Sequence, residues 1–248
     1  MTAATGVLAI GEGLVRALGV RDGAHGLAAV GIMAAWIAAG YVLGSIPFGW
    51  LIGKMRGVDI RRHGSKNIGA TNCGRVCGWP CGVAAFLLDV LKGLLPVLAA
   101  VAWLPSQFAG IDDPQRLWLL TALIAATPIL GHLFPVWLRF RGGKAVATAL
   151  GVVLALPMLR WVGAGALVLW CVTVVATGYV SVSSTVAALG FGGGYLWVQR
   201  AAACSDYLAV TIFVLLLVVL VLVRHKSNYV RLLKGTENGV LWRKKKET

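Results

Sequence analysis

Charge is scarce in this chain. Of 248 residues only 13% are charged, with nine acidic residues against 23 basic ones, while 58% are hydrophobic. That balance excludes an ordinary soluble globular domain. Carboxylates and histidines are too few, and too scattered, to stand at metal-ligand spacing, so neither a metal nor a cofactor is expected. No serine sits in a Gly-x-Ser-x-Gly elbow, which excludes the usual hydrolase nucleophile. The five cysteines, Cys73, Cys77, Cys81, Cys171 and Cys204, lack zinc spacing and read as reduced thiols, with no disulfide framework. Base-stacking aromatic platforms are missing too. The net charge of +14 therefore does not imply nucleic acid. No inverted repeat is visible, which weighs against a secondary transporter.

Long apolar runs are what the chain has instead. A spanning helix needs roughly 20 apolar residues, and the runs do not alternate as barrel strands do. They predict an all-α integral membrane protein with about seven transmembrane helices, near 27–53, 79–104, 117–138, 145–159, 161–180, 183–198 and 207–223. Residues 1–26 read as an N-terminal extension able to lie on the membrane surface, not as a secretory signal. Residues 27–223 form the membrane domain and 224–248 a basic tail. Seventeen of the 23 basic residues fall in three segments, 54–78, 139–144 and 224–248. Basic segments stay cytoplasmic. Seven spans with the N-terminus outside put all three, and the tail, on the cytoplasmic face.

Those segments carry the polar chemistry. Residues 64 to 75 run Gly-Ser-Lys-Asn-Ile-Gly-Ala-Thr-Asn-Cys-Gly-Arg. Glycine lets backbone N–H groups converge on an anion, and Ser65, Thr71, the asparagines and Arg75 add donors. A solvated connector is the plainer reading of the same loop. Gly142-Gly143-Lys144 precedes an apolar helix, where free N–H groups and a cation suit an anion. A tight turn with a snorkelling lysine fits equally. His225 and Asn228 are three apart and share a helix face. Asp89 and Lys92 sit inside a span, as a self-satisfying pair or in a direct role. His132 ends a span and reads as structure. Only Asp59, Glu237 and Glu247 oppose the cations here, so the site should bind more than one negative charge while offering few bases.

Assembled in order, these segments resemble the bacterial acylphosphate:glycerol-3-phosphate acyltransferase family, PlsY. The likeness rests on Gly44-Ser45-Ile46-Pro47-Phe48-Gly49, Gly64 to Asn72 with Arg75, Leu88-Asp89 with Lys92-Gly93, Gly131-His132 with Phe134-Pro135, and Gly142-Gly143-Lys144 with Val146-Ala147-Thr148. It continues through Tyr179 with Ser181, then Arg224-His225, Asn228, Arg231-Leu232, Gly235 and Glu237. It implies transfer of a fatty acyl group from acylphosphate to glycerol-3-phosphate at the cytoplasmic side of a bacterial inner membrane, giving 1-acylglycerol-3-phosphate and phosphate. Neither coenzyme A nor acyl carrier protein is expected as a partner; membrane lipid is. The resemblance assigns Ser65, Lys144, His225 and Asn228 to catalysis. It assigns Asn67, Gly69, Thr71, Asn72, Arg75, Gly142, Gly143 and Ser181 to substrate binding. His132, Asp89, Lys92 and Glu237 are expected to support the site from behind. His225 and the substrate's own phosphate are rival bases. Two positions depart from the family pattern. Ala145 replaces the glycine after Lys144, at a cost if that position needs positive φ, and Lys66 stands where glycine is frequent. A membrane transporter of a phosphate ester or other organic anion is the alternative.

Overall fold

In the computed structural model, residues 23–107, 114–200 and 205–240 are described. Most of the expected N-terminal extension, Cys204 and the polybasic run Arg243 to Lys246 lie outside them. Among the described residues every regular element is helical. Helix α1, Gly23–Ser45, stops at Ile46-Pro47, and the short α2, Phe48–Met55, follows. Proline lacks an N–H and clashes with the preceding turn, which breaks the run there. A 3-10 turn, Ile60–Arg62, leads to α3, Ala70–Cys77. The long α4, Trp79–Gln107, and α5, Pro114–Leu133, come next, then a second 3-10 turn at Val136–Leu138. Helices α6, Val146–Ala155, α7, Arg160–Thr177, and α8, Val180–Val198, precede α9, Leu208–Arg224. Helix α10, Lys226–Leu233, leaves α9 at 45°.

Each of the seven apolar stretches contains a helix. Four are long and apolar enough to cross a membrane: Val30–Met55, Trp79–Trp103, Gln115–Leu138 and Arg160–Thr177. Counted as one broken span, the bent α9–α10 pair makes a fifth. Helix α6 has only ten residues, about 15 Å of rise against a hydrocarbon core of about 30 Å.

Outward faces are apolar: Leu95, Leu123, Val172 and Leu216 are all exposed. Lipid makes that acceptable, but it removes the hydrophobic drive for helices to associate. Close backbone packing must supply it. Helices α4 and α6 show how. A Cβ on Gly151 would strike the carbonyl of Val90, and one on Gly93 would strike that of Thr148. The main core lies between α5, α6, α8 and α9, around Ile129, Val152, Leu159, Tyr195 and Val214. A small core beneath the loop 64–75 joins Ile60, Cys73, Cys81 and Ala85. Cys73, Cys77, Cys81 and Cys171 are free thiols. Burial pushes Cys73 up to about 12, which makes it an inert core residue.

Asp89 and Lys92 do pair, 2.7 Å apart and both buried. Lys92 Nζ also donates to the carbonyl of Ile46 at 2.7 Å and sits over the ring of Phe48. The pair thus ties the break between α1 and α2 to α4.

Gly151→Val is expected to lower the thermal midpoint in detergent sharply, because the added atoms meet backbone that cannot move aside. Overpacking of this kind costs about 1–3 kcal/mol. An unchanged midpoint would show that α4 and α6 do not meet at this contact.

Candidate functional site

The loop 64–75 is built around Asn72, which is 1% exposed. Its Nδ2 donates to the carbonyls of Ile60, Asn67 and His63 at 2.8, 2.9 and 3.2 Å, and its Oδ1 accepts from Ser65 N at 2.8 Å. The loop must curl tightly to surround one side chain. Gly64 accordingly has φ +58, and Asn72 Oδ1 occupies the place a Cβ would need. Lys66, one of the two departures, also has φ +59. Asn67 Oδ1 accepts from Gly69 N at 2.9 Å, setting the start of α3. Asn72 therefore spends its whole amide on the loop, while Ser65, Gly69, Thr71 and Arg75 line the cavity beside it.

The segment 139–145 forms the second wall. Gly143 N donates to the carbonyl of His132 at 3.1 Å, and a Cβ on Gly143 would strike the His132 ring. The ring's Nδ1 is 3.2 Å from Thr148 Oγ1 and 3.7 Å from Asp89 Oδ1. His132 thus props the turn from behind. Arg224 holds the same turn through the Gly143 carbonyl. Ala145 caps α6 with φ +61, so the other departure also lies in left-handed backbone.

The remaining walls come from α8 and from the α9–α10 bend, and one carboxylate joins them. Glu237 Oε1 accepts from Asn228 Nδ2 at 2.6 Å and Ser181 Oγ at 3.2 Å, and Oε2 accepts from Arg231 Nε at 2.7 Å. Asn228 Oδ1 in turn accepts from Lys144 Nζ at 2.5 Å. The chain beyond Glu237 folds over the site. Arg75 donates to the carbonyl of Asn238 at 2.9 Å, and Val240 N donates to that of Gly178 at 2.9 Å.

These walls enclose a cavity of about 260 Å³. Ser65, Asn67, Gly69, Thr71, Asn72, Arg75, Lys144, Ser181, His225 and Asn228 all line it, with Asp89, His132 and Glu237. Gly142, Gly143 and Lys92 stand behind that lining. The placement of Arg231 and the residues that line a groove for the acyl chain escaped the sequence reading, although such a groove was expected. Arg231 faces the cavity, a placement that its i, i+3 spacing from Asn228 on α10 would have suggested. An apolar arm also runs from the polar end between α6, α7, α8 and α9, past Leu150, Leu167, Ala187 and Phe191.

Charge is lopsided here. Burial pulls Lys144 down to about 8, against the opposing pull of Glu237 and with help from the nearby charges of Arg231, Arg75 and Arg224. His225 sits at the bend between helices. Burial, then the charge of Lys144, lowers it to about 4. It is neutral, with Nδ1 2.8 Å from the Val221 carbonyl. Among the described residues no group of three His, Cys, Asp or Glu is placed to hold a metal. A cation-rich pocket opening into an apolar arm suits an anionic headgroup joined to an alkyl chain.

Comparison with known proteins finds relatives over most of the chain. A family model described as glycerol-3-phosphate acyltransferase matches residues 34–235. A Desulfotalea psychrophila protein named glycerol-3-phosphate acyltransferase is 42% identical over 206 residues, covering 83% of this chain and 95% of its own. An Anaeromyxobacter protein of the same name is 41% identical, with 81% and 93% covered. Among solved structures, the integral membrane glycerol-3-phosphate acyltransferase PlsY in its glycerol-3-phosphate form superposes with TM-score 0.71 at 36% identity. It covers 84% of this chain and 94% of that one. Its lysophosphatidic acid form gives 0.68 at 35%.

Substitution at Ala145 should separate backbone strain from side-chain loss. Left-handed backbone costs an L-residue about 1–2 kcal/mol. Ala145→Gly relieves that, but removes a buried methyl worth about 0.8 kcal/mol and loosens the unfolded chain by about 0.4–1 kcal/mol. The expected thermal midpoint is therefore within a few degrees of the parent. Ala145→Val, β-branched at φ +61, should melt well below it. Equal tolerance of glycine and valine would contradict the left-handed turn.

Proposed function

The chain belongs to the glycerol-3-phosphate acyltransferase family, and from that premise we propose that it transfers the acyl group of an acylphosphate to the 1-hydroxyl of glycerol-3-phosphate. The products are 1-acylglycerol-3-phosphate and inorganic phosphate. One observation supports this reading above others: a pocket of Arg75, Lys144 and Arg231, with Glu237 between them, that continues into an apolar arm. Two phosphates and one alkyl chain match it. The floor of the arm is packed core, which offers a transported anion no path onward and favours acyl transfer over the transporter reading.

The geometry suggests how transfer proceeds. Arg75 and the α3 start, with Ser65, Asn67 and Thr71, hold one phosphate by charge-assisted hydrogen bonds. Lys144, at the start of α6, neutralises the second, and Gly142-Gly143 position it. Ser181, Asn228 and His225 orient the glycerol. The hydroxyl oxygen of glycerol-3-phosphate attacks the acyl carbonyl carbon. The carbon–oxygen bond to phosphate breaks, and the phosphate leaves against Lys144. The donor is already activated, so orientation and charge supply most of the acceleration. A histidine held near 4 is a weak base at neutral pH. A phosphate group, with its second pKa near 6, is the better acceptor for the hydroxyl proton, and His225 orients instead. No step calls for coenzyme A or acyl carrier protein.

The proposed setting is a bacterial inner membrane, with the site facing the cytoplasm. The loops 64–75, 139–145, 178–181 and 224–240 meet in one pocket, which supports a chain that returns to that face after α4–α5, after α6–α7 and after α8–α9. With α1 this makes seven passes, an external N-terminus and a cytoplasmic tail from 224. Residues 27–223 are the catalytic membrane domain. The shortness of α6 fits a loop that carries Lys144 below the membrane surface.

Lys144→Ala and Arg75→Ala should each cut phosphate release by at least about a hundredfold, with the thermal midpoint within a few degrees of the parent. The assay is purified protein with acylphosphate and glycerol-3-phosphate, and parent-like turnover removes either residue from its role. The pH profile carries a sign. Lys144 loses its charge above about 8, so kcat/KM should fall through that region, and Lys144→Arg should move the fall to higher pH. A flat alkaline limb in the parent would contradict the role of this charge.

A further inference from the structure

The apolar arm ends blind, and its end is made of specific side chains. Its lining stops at one level on four helices: Val153 on α6, Gly163 on α7, Phe191 on α8 and Leu217 on α9. One turn deeper, Leu159, Tyr195 and Val214 are at most 1% exposed, and they belong to the same core cluster as Val153, Phe191 and Leu217. From Ser181 at the polar end to Phe191 is ten residues of α8, about 15 Å. From His225 to Leu217 along α9 is eight residues, about 12 Å. The two helices therefore give the arm a similar depth.

The residues at that level differ in how they limit it. Gly163 is already crowded, since a Cβ there would strike a methyl of Val153. Phe191 is the one aromatic residue at the end, and its ring is buried. Halfway up, Ala187 is small and keeps the arm open.

Building on the acyl-transfer reading above, we infer that Phe191 sets the acyl-chain length this enzyme accepts. A linear alkyl chain runs down the arm and its terminal methyl meets the Phe191 ring. A chain longer than the arm must bend or withdraw its carbonyl from the polar end, while a shorter one leaves the end unfilled. Phe191 is thus a specificity-determining residue, with Ala187 the point at which the arm is most readily narrowed.

The test uses the full-length protein with a series of acylphosphates from about 8 to about 18 carbons and saturating glycerol-3-phosphate. Phe191→Leu frees about 2–3 Å, and a methylene adds about 1.25 Å of chain, so the kcat/KM optimum should move about two carbons longer. Ala187→Leu should lower the ratio of long-chain to short-chain kcat/KM at least tenfold, a step expected when a pocket must reject excess methylenes. A second readout does not need turnover: the rise in thermal midpoint given by 1-acylglycerol-3-phosphates of the same lengths should shift in the same directions. Identical length profiles in parent and both variants, by both readouts, would overturn the assignment of Phe191. Failure of the parent to transfer any acyl group from any acylphosphate would overturn the acyl-transfer reading, and this inference with it.

Discussion

The Glu237 carboxylate is the interaction on which the site depends. It lies among Arg75, Lys144, Arg231 and Arg224, and it bonds Ser181, Asn228 and Arg231 at once. Through Asn228 it also fixes Lys144. Unpaired cations crowded into a half-buried pocket repel one another and resist desolvation. One carboxylate relieves that without cancelling it, leaving net positive charge for substrate. Because Glu237 comes from the tail while Ser181 comes from α8, it also closes the pocket mechanically. Arg75 adds to this closure by gripping the carbonyls of Asn238 and Gly239.

The membrane fold serves this arrangement. Close packing at Gly93 and Gly151 brings α6 against α4, and Asp89, itself paired to Lys92, lies near the ring of His132. His132 then backs the turn that presents Lys144. A chain of contacts thus runs from the break at Pro47, through Lys92 and Asp89, to the wall that carries Lys144. Each link is a polar group kept buried because it has a partner. Such groups are costly in a bilayer and persist where they hold functional geometry.

Much of this was legible in the sequence, because hydropathy and charge report on burial and sidedness directly. The seven apolar stretches all hold helices, and the loop 64–75 does share one cavity with Lys144, Ser181 and the His225/Asn228 pair. Ala145 falls where φ is positive, the condition raised for it from the sequence, and Lys66 does so too, which its replacement of a frequent glycine had not been read to mean. Other features were hidden because they depend on tertiary contact. Nothing in the local sequence says that Asn72 turns inward to bond four backbone groups, or that Arg231 rather than its neighbours faces the cavity. The apolar arm is invisible to hydropathy, since its lining residues look no different from those facing lipid. Helix α6 is shorter than its apolar run because Leu156–Leu159 turns instead of continuing.

The central claim is that one pocket receives two phosphates together and that the acyl group passes directly between them. Titrating glycerol-3-phosphate into purified protein, alone and after saturation with a non-transferable acyl phosphonate, tests this most directly. The account predicts that glycerol-3-phosphate still binds, forming a ternary complex with at most a severalfold change in Kd. Mutually exclusive binding, with glycerol-3-phosphate displaced in proportion to the phosphonate, would contradict it.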